Sequence, residues 1–225
     1  MENKLAFIEF MLESNVLMFG DFVTKSGRNT PYFINTGNYT TSAQIAKLGE
    51  FYAESIQDQF GDSVTNLFGP AYKGIPIGIA AGCALQKTYG VDLTLSFNRK
   101  EAKDHGEGGW ILGHPYGRGE KEDKVVIVED VTTAGTSIRE TLPSINKFDK
   151  TEVIGLLVSV NRLEKGQGNC SALKELSEEY GIKTLSLINF FDLLEYLSEH
   201  AIERGIGLDI LDKMKAYHEK YGVEE

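Results

Sequence analysis

The sequence predicts an α/β fold: a mostly parallel, five-stranded sheet flanked by helices, preceded by a small amino-terminal hairpin unit. Three observations carry this expectation. Short apolar runs at residues 64–68, 93–97, 125–128, 153–160 and 183–188 alternate with helical patterns at 75–88, 137–148 and 171–180. The run Val125-Val126-Ile127-Val128 is apolar throughout, as a strand covered on both faces requires. Polar residues follow four of the runs: Lys73, then Arg99 with Lys100, then Glu129 with Asp130, then Arg162. Open parallel sheets bind ligands at that edge, beyond the carboxyl ends of their strands.

The elements are justified in chain order. An amino-terminal amphipathic helix is expected to bury Leu5, Ile8, Met11 and Leu12. Phe22-Val23-Thr24 and Tyr32-Phe33-Ile34 flank the turn Lys25-Ser26-Gly27-Arg28, which predicts a short hairpin. A second helix is expected from Ser42, as N-cap, to Gly61, with Ile45, Leu48, Tyr52 and Ile56 on one face. Strands and helices then alternate up to residue 188, except that 100–124 break the pattern. That segment is charged, has glycines at 106, 108 and 109, and shows no core pattern. It reads equally as a mobile lid over an anionic ligand and as a solvated excursion. Beyond Asn189, short amphipathic helices at 192–198 and 208–221 are expected to pack outside. The chain is expected to form one domain over 1–225: a hairpin region (1–40), an α/β core (41–190) with the lid at about 100–124, and a helical annex (191–225).

Composition narrows the function classes. With 41% hydrophobic and 25% charged residues over 225 positions, the chain has the makeup of a soluble globular protein. A formal net charge of −10 argues against a nucleic-acid surface. Cys83 and Cys170 stand far apart without a metal-binding pattern, and are expected as isolated, mostly buried thiols of a reducing compartment. No apolar run approaches membrane-spanning length, and acids interrupt the apolar residues of the amino terminus, so a cytoplasmic protein is expected.

The most informative stretch is 125–138. Glu129 and Asp130 end the apolar run, and Thr132-Thr133-Ala134-Gly135-Thr136 leads directly into a helix. Such a turn leaves backbone N–H groups free at a helix N-terminus, where they bind phosphate, and the threonine hydroxyls add donors. Phosphate alone would be repelled by the two acids. A ribose phosphate, with hydroxyls for the acids and phosphate for the turn, suits both.

This stretch resembles the signature of the type I phosphoribosyltransferases, which grips the 5′-phosphate and ribose hydroxyls of 5-phosphoribosyl 1-diphosphate (PRPP). Phe19-Gly20-Asp21-Phe22, Lys25-Ser26-Gly27-Arg28 and Pro31-Tyr32-Phe33 look like the amino-terminal hood of the orotate phosphoribosyltransferase family. Gly69-Pro70-Ala71-Tyr72-Lys73-Gly74-Ile75-Pro76 and the run from Phe97 through Lys103, His105 and Gly108 are similar to it as well. The resemblance implies the type I fold with a hood, and transfer of phosphoribosyl from PRPP to orotate in pyrimidine synthesis. It also implies Mg²⁺ riding on PRPP oxygens and waters rather than in a dedicated protein cage. Finally, it implies a homodimer in which each lid closes over the neighbouring site.

By the same resemblance, PRPP would be held by Lys25, Tyr72, Lys73, Arg99, Lys100, Lys103 and His105, with Glu129, Asp130, Val131, Thr132, Thr133, Ala134, Gly135, Thr136 and Ser137. Lys103, Asp130 and His105 would be catalytic, and Phe33, Ile34, Thr133 and Arg162 would hold orotate. An arginine fork matches a carboxylate with two hydrogen bonds. Three features depart from the family pattern: Asn161 where many members have an acid before the arginine, Ile34 in place of an aromatic, and a longer segment at 114–123. A phosphoribosyltransferase for another base and a PRPP-sensing regulator are the competing readings; the presence of Lys103 and the acidic chain disfavour the regulator. His114, His200 and His218 are expected at the surface, Trp110 in packing, and Phe190, Phe191 and Tyr196 along a helix seam.

Overall fold

Val125 to Val128 lie fully buried in strand β6 (Asp123–Val131), and successive side chains feed two different cores. Val126 and Val128 join one, Val125 and Ile127 the other. The computed structural model describes residues 2–24, 27–103, 109–117, 121–132 and 134–225; the side chains at 2, 100–103 and 109 lie outside that description.

Beside β6 lie β3 (Asn66–Gly69) and β7 (Thr151–Asn161), continued by β4 (Thr94–Lys103) and β8 (Lys183–Asn189). These five strands run parallel, as expected. A sixth, β5 (Gly109–Gly113), extends the sheet antiparallel to β4, giving the order β5-β4-β3-β6-β7-β8. Part of the segment expected as a loop is therefore strand, β4 running on to Lys103 and β5 pairing with it from Gly109, while residues 104–108 fall outside the described residues. Trp110 explains the added strand: it stacks on buried Phe68 with ring centroids 5.9 Å apart. The longer segment is also anchored. Tyr116 is buried and donates to Asn66 Oδ1 at 2.6 Å, and Asn66 donates in turn to Thr94 and Ser96.

The first face is covered by α1 (Glu2–Glu13), α2 (Ser42–Phe60), α3 (Gly74–Tyr89), α6 (Phe190–His200) and α7 (Asp209–Tyr221). The opposite face carries α4 (Thr136–Ile145) and α5 (Ala172–Tyr180). A separate antiparallel pair, β1 (Leu17–Val23) with β2 (Asn29–Ile34), forms the hood, and its first strand starts earlier than the expected hairpin. In α1 the inward residues are Phe7, Ile8 and Met11, whereas Leu5 is 39% exposed. Phe7 takes the inner place by meeting Phe51 of α2 edge-on at 5.0 Å.

Helix α2 starts one residue earlier than expected. Thr41 is its N-cap, accepting from the Gln44 amide, and the Gln44 side chain answers the cap backbone. Gly49 brings α2 onto α3: a Cβ there would lie 2.5 Å from the Ala80 carbonyl carbon, so only glycine permits this approach.

Three further expectations need correction. Cys83 is exposed and Cys170 half-buried, both free. The histidines are half-buried: His114 pairs with Asp123 at 2.8 Å, His200 rests on Tyr196, and His218 stacks on Phe190 at 4.2 Å. Phe190 and Tyr196 are buried, but Phe191 is exposed because the Asn189 cap starts the helix there and turns that residue outward. Among the described residues, no helix is long and apolar enough to cross a membrane.

Candidate active site

The parallel strands place the ends of β3, β6 and β7 along one edge, and the acid pair closes β6 there. Its backbone is fixed from behind. The phenol of Tyr52, fully buried on α2, donates to the Glu129 carbonyl at 2.6 Å and lies 2.8 Å from the Ser159 hydroxyl on β7. Asp130 then faces the cleft. Its Oδ2 accepts from the Thr36 hydroxyl at 2.6 Å and from Lys73 Nζ at 2.9 Å. Lys73 also donates to Thr36 Oγ1 at 2.9 Å, closing a triangle.

These contacts split the two acids electrostatically. Burial and the neighbouring Asp130 push the Glu129 carboxyl up to about 8. Burial acts on Asp130 too, but donors from Thr36, the Val131 amide and Lys73 outweigh it and hold that carboxyl below its ordinary range. The pair therefore favours carrying its negative charge on Asp130, where the donors are.

The turn after β6 has the form a phosphate requires. Gly135, at φ 67°, is the N-cap of α4, and among the described residues it makes no side-chain capping hydrogen bond to the helix's first amides, as a helix N-terminus that binds an anion requires. The Thr132 hydroxyl accepts from the Gly135 amide at 3.1 Å, and Thr136 and Ser137 stand exposed on the first turn. Arg139 ties the turn from outside. It donates to the Ala134 carbonyl at 2.6 Å while Glu175 and Glu179 hold its other nitrogens at 3.1 and 2.8 Å.

On the other side of the acids, the loop Pro70-Ala71-Tyr72-Lys73 leads from β3 into α3. Its Ala71 amide donates to Asn98 Oδ1 on β4 at 2.6 Å; the Ala71–Tyr72 peptide is cis, and Tyr72 is 68% exposed. Arg99 is half-buried, and its Nε has no hydrogen-bond partner among the described residues, as suits a cation awaiting an anion. Lys25, His105 and Thr133, and the side chains of Lys100 and Lys103, lie outside the described residues.

Arg162 follows β7 and is buried beneath the hood. Its guanidinium lies 4.1 Å over the Tyr32 ring, donates to Thr30 Oγ1 at 3.2 Å, and donates through Nε to Glu164 Oε1 at 2.6 Å. Asn161 does not substitute for the family's acid. It caps a tight turn by accepting from the Leu163 amide at 3.0 Å, and Leu163, at φ 50°, swings Glu164 back onto the arginine. The acid that anchors Arg162 therefore comes two residues after it rather than before. Phe33 and Ile34 lie on β2 between Thr30, which touches Arg162, and Thr36, which touches Asp130. The hood thus spans a gap bounded by a cation and an anion. A separate groove of about 630 Å³ between the hood and α7 includes Phe22, Thr30 and Tyr217 but neither acid nor phosphate turn.

Comparison with known proteins decides the family. A phosphoribosyl transferase domain model matches residues 35–192. The orotate phosphoribosyltransferase of Clostridium acetobutylicum is 50% identical over 223 residues, covering 98% of each chain. The chain belongs to the orotate phosphoribosyltransferase family. The namesake protein of Lachnoclostridium phytofermentans is also 50% identical, with 98% of each chain covered. The Francisella tularensis orotate phosphoribosyltransferase crystal structure matches at a TM-score of 0.82 and 36% identity, over 96% of this chain and 99% of that one.

Within this family site, sequence reasoning missed Thr36, Tyr52, Asn98, Arg139 and Glu164. Only Glu164 had a readable signal, an acid close to an arginine in sequence. Among the described residues, no three His, Cys, Asp or Glu side chains gather as a metal cluster. The hard oxygens of the ionised Asp130 would fit an Mg²⁺ held mainly by substrate oxygens and water.

Proposed function

We propose that this chain transfers the 5-phosphoribosyl group of PRPP to orotate, forming orotidine 5′-monophosphate and diphosphate in the cytoplasmic, de novo route to UMP. The observation that carries the reading is the arrangement along one sheet edge. An ionised Asp130 stands between an open helix N-terminus and Lys73, and Arg162 sits at the next strand end under the hood. The phosphate would occupy the turn from Val131 to Ser137, and the ribose hydroxyls would meet Asp130 and Glu129. Orotate would lie against Phe33 and Ile34 with its carboxylate on Arg162.

Displacing diphosphate from the anomeric carbon builds positive charge on the ribose and negative charge on the leaving group. Catalysis is then chiefly positioning and electrostatic stabilisation. Asp130 faces the developing cation; Lys73, Arg99, Lys100, Lys103 and His105 surround the leaving group, with Lys25 and Tyr72 completing the PRPP contacts. Mg²⁺, when bound, neutralises diphosphate charge. We further propose one domain acting as a homodimer with reciprocally shared sites, the segment near 100–124 closing on the neighbour. Loss of orotate absorbance on adding PRPP and Mg²⁺ tests the reading. Turnover of another base with no turnover of orotate would overturn it.

A further inference from the structure

We propose that Thr36 is a further positioning residue, whose hydroxyl keeps Asp130 aimed at the ribose after Lys73 has turned to the diphosphate. The inference rests on reading the cleft as a PRPP site. Two donors share Asp130 Oδ2, and they are not equivalent. Lys73 has a long, 55%-exposed side chain at the start of α3, free to follow a phosphate. Thr36 is short, β-branched and fixed in a tight 3-10 turn at Thr36–Asn38. That turn is itself tied down: Asn35 accepts from the Gly37 amide at 3.2 Å and donates to Asn38 at 3.0 Å, and Asn38 donates to the Asn15 carbonyl at 2.6 Å.

The consequence follows from counting hydrogen bonds. When Lys73 leaves, Asp130 loses its cation but keeps the Thr36 donor. The Thr36 lone pair that accepted from Lys73 is then free to accept from a ribose hydroxyl. Thr36 thereby holds the carboxylate in place and completes the partners of the diol. It also joins the hood to the acid edge, since Thr36 follows β2 directly. The other ionisable groups facing Asp130 are Glu129 beside it, Lys73, and the Tyr52 phenol from α2. All three remain when residue 36 is changed.

The test titrates PRPP into the full-length wild type and the variants Thr36→Val, Thr36→Ser and Thr36→Ala by calorimetry, with orotate turnover measured in parallel. Thr36→Val keeps the shape and removes the hydroxyl, and is expected to bind PRPP about tenfold more weakly. Thr36→Ser should stay within about twofold of wild type, and the KM for orotate should move in neither. Thr36→Ala replaces the valine variant should melting curves show the latter unfolded. Wild-type affinity in the hydroxyl-free variant would overturn the proposal, as would a serine variant as weak as valine. A wild type that binds PRPP without consuming orotate refutes the base assignment alone and leaves the Thr36 comparison readable. A wild type that does not bind PRPP removes both.

Discussion

Glu164→Gln tests whether the acid following Arg162 organises the base site. Glu164 serves two cations: its Oε1 accepts from Arg162 at 2.6 Å, and its Oε2 lies 3.5 Å from Arg28 Nη1. The side chains of Arg162 and Glu164 are 8% and 10% exposed, so water cannot replace what the substitution removes. Glutamine preserves volume and one hydrogen bond from the guanidinium but removes the opposing charge. The loss is therefore the difference between an ion-paired bond and one with a single charged partner, about 1.5 kcal/mol. Coulomb's law, at 4 Å and an effective dielectric of about 20, sets a ceiling of about 4 kcal/mol. For a chain of this length, about 1.5 kcal/mol lowers Tm by about 3–6 °C. The freed guanidinium should also raise the KM for orotate several-fold, with the KM for PRPP near wild type. Thermal melting and steady-state kinetics read the two effects. A variant melting within about 1 °C of wild type, with an unchanged orotate KM, would refute the anchoring role.

Three other outcomes follow from the same site. Glu129 gives stability while protonated, and this is lost as pH rises through its folded value of about 8, so Glu129→Gln should raise Tm near pH 9 and have little effect near pH 5; a parallel shift at both pH values would contradict this. Arg139→Met should release the Ala134 carbonyl and weaken PRPP binding several-fold without affecting orotate, read as a rise in one KM only. If the sites are shared across a homodimer, mixing inactive Lys103→Ala and Asp130→Ala chains should restore about a quarter of wild-type activity, since about half the dimers are mixed and each has one intact site. Mixed dimers without recovery would show that each lid serves its own subunit.

The parallel strands were legible because a strand buried on both faces must be apolar at every position, as Val125 to Val128 are. Strand β5 was not, because Trp110 and Ile111 are flanked by glycines and charges and gain their place only from Phe68, distant in sequence. The start of α2 was misplaced although its signal was present: Thr41 and Gln44 spell the capping box, and Ser42 does not. In α1, apolar residues at 5, 7, 8 and 10 fit more than one inward face, and Phe51 selects between them. The acid pair and the threonine-rich turn are contiguous, so their place at the end of β6 and the start of α4 could be read directly. Thr36, Tyr52 and Glu164 act through contacts made only by folding, and Thr36 lies 94 residues from the aspartate it touches.

The close seating of Gly49 on Ala80 has a mechanical consequence. Helix α3 emerges directly from the loop carrying Lys73, and α2 sends Tyr52 to the backbone of Glu129. With no side chain at Gly49 to hold the two helices apart there, the loop carrying Lys73 and the acid pair hang from one closely packed body. Amide hydrogen exchange should find α2, α3, β3 and β6 opening together and slowly, close to global unfolding. The hood, a two-stranded ribbon resting on α1 and α7, should open first. Substrates would then enter, and products leave, by way of the loosest layer of the molecule, while the groups that meet the reacting carbon keep their spacing from one turnover to the next.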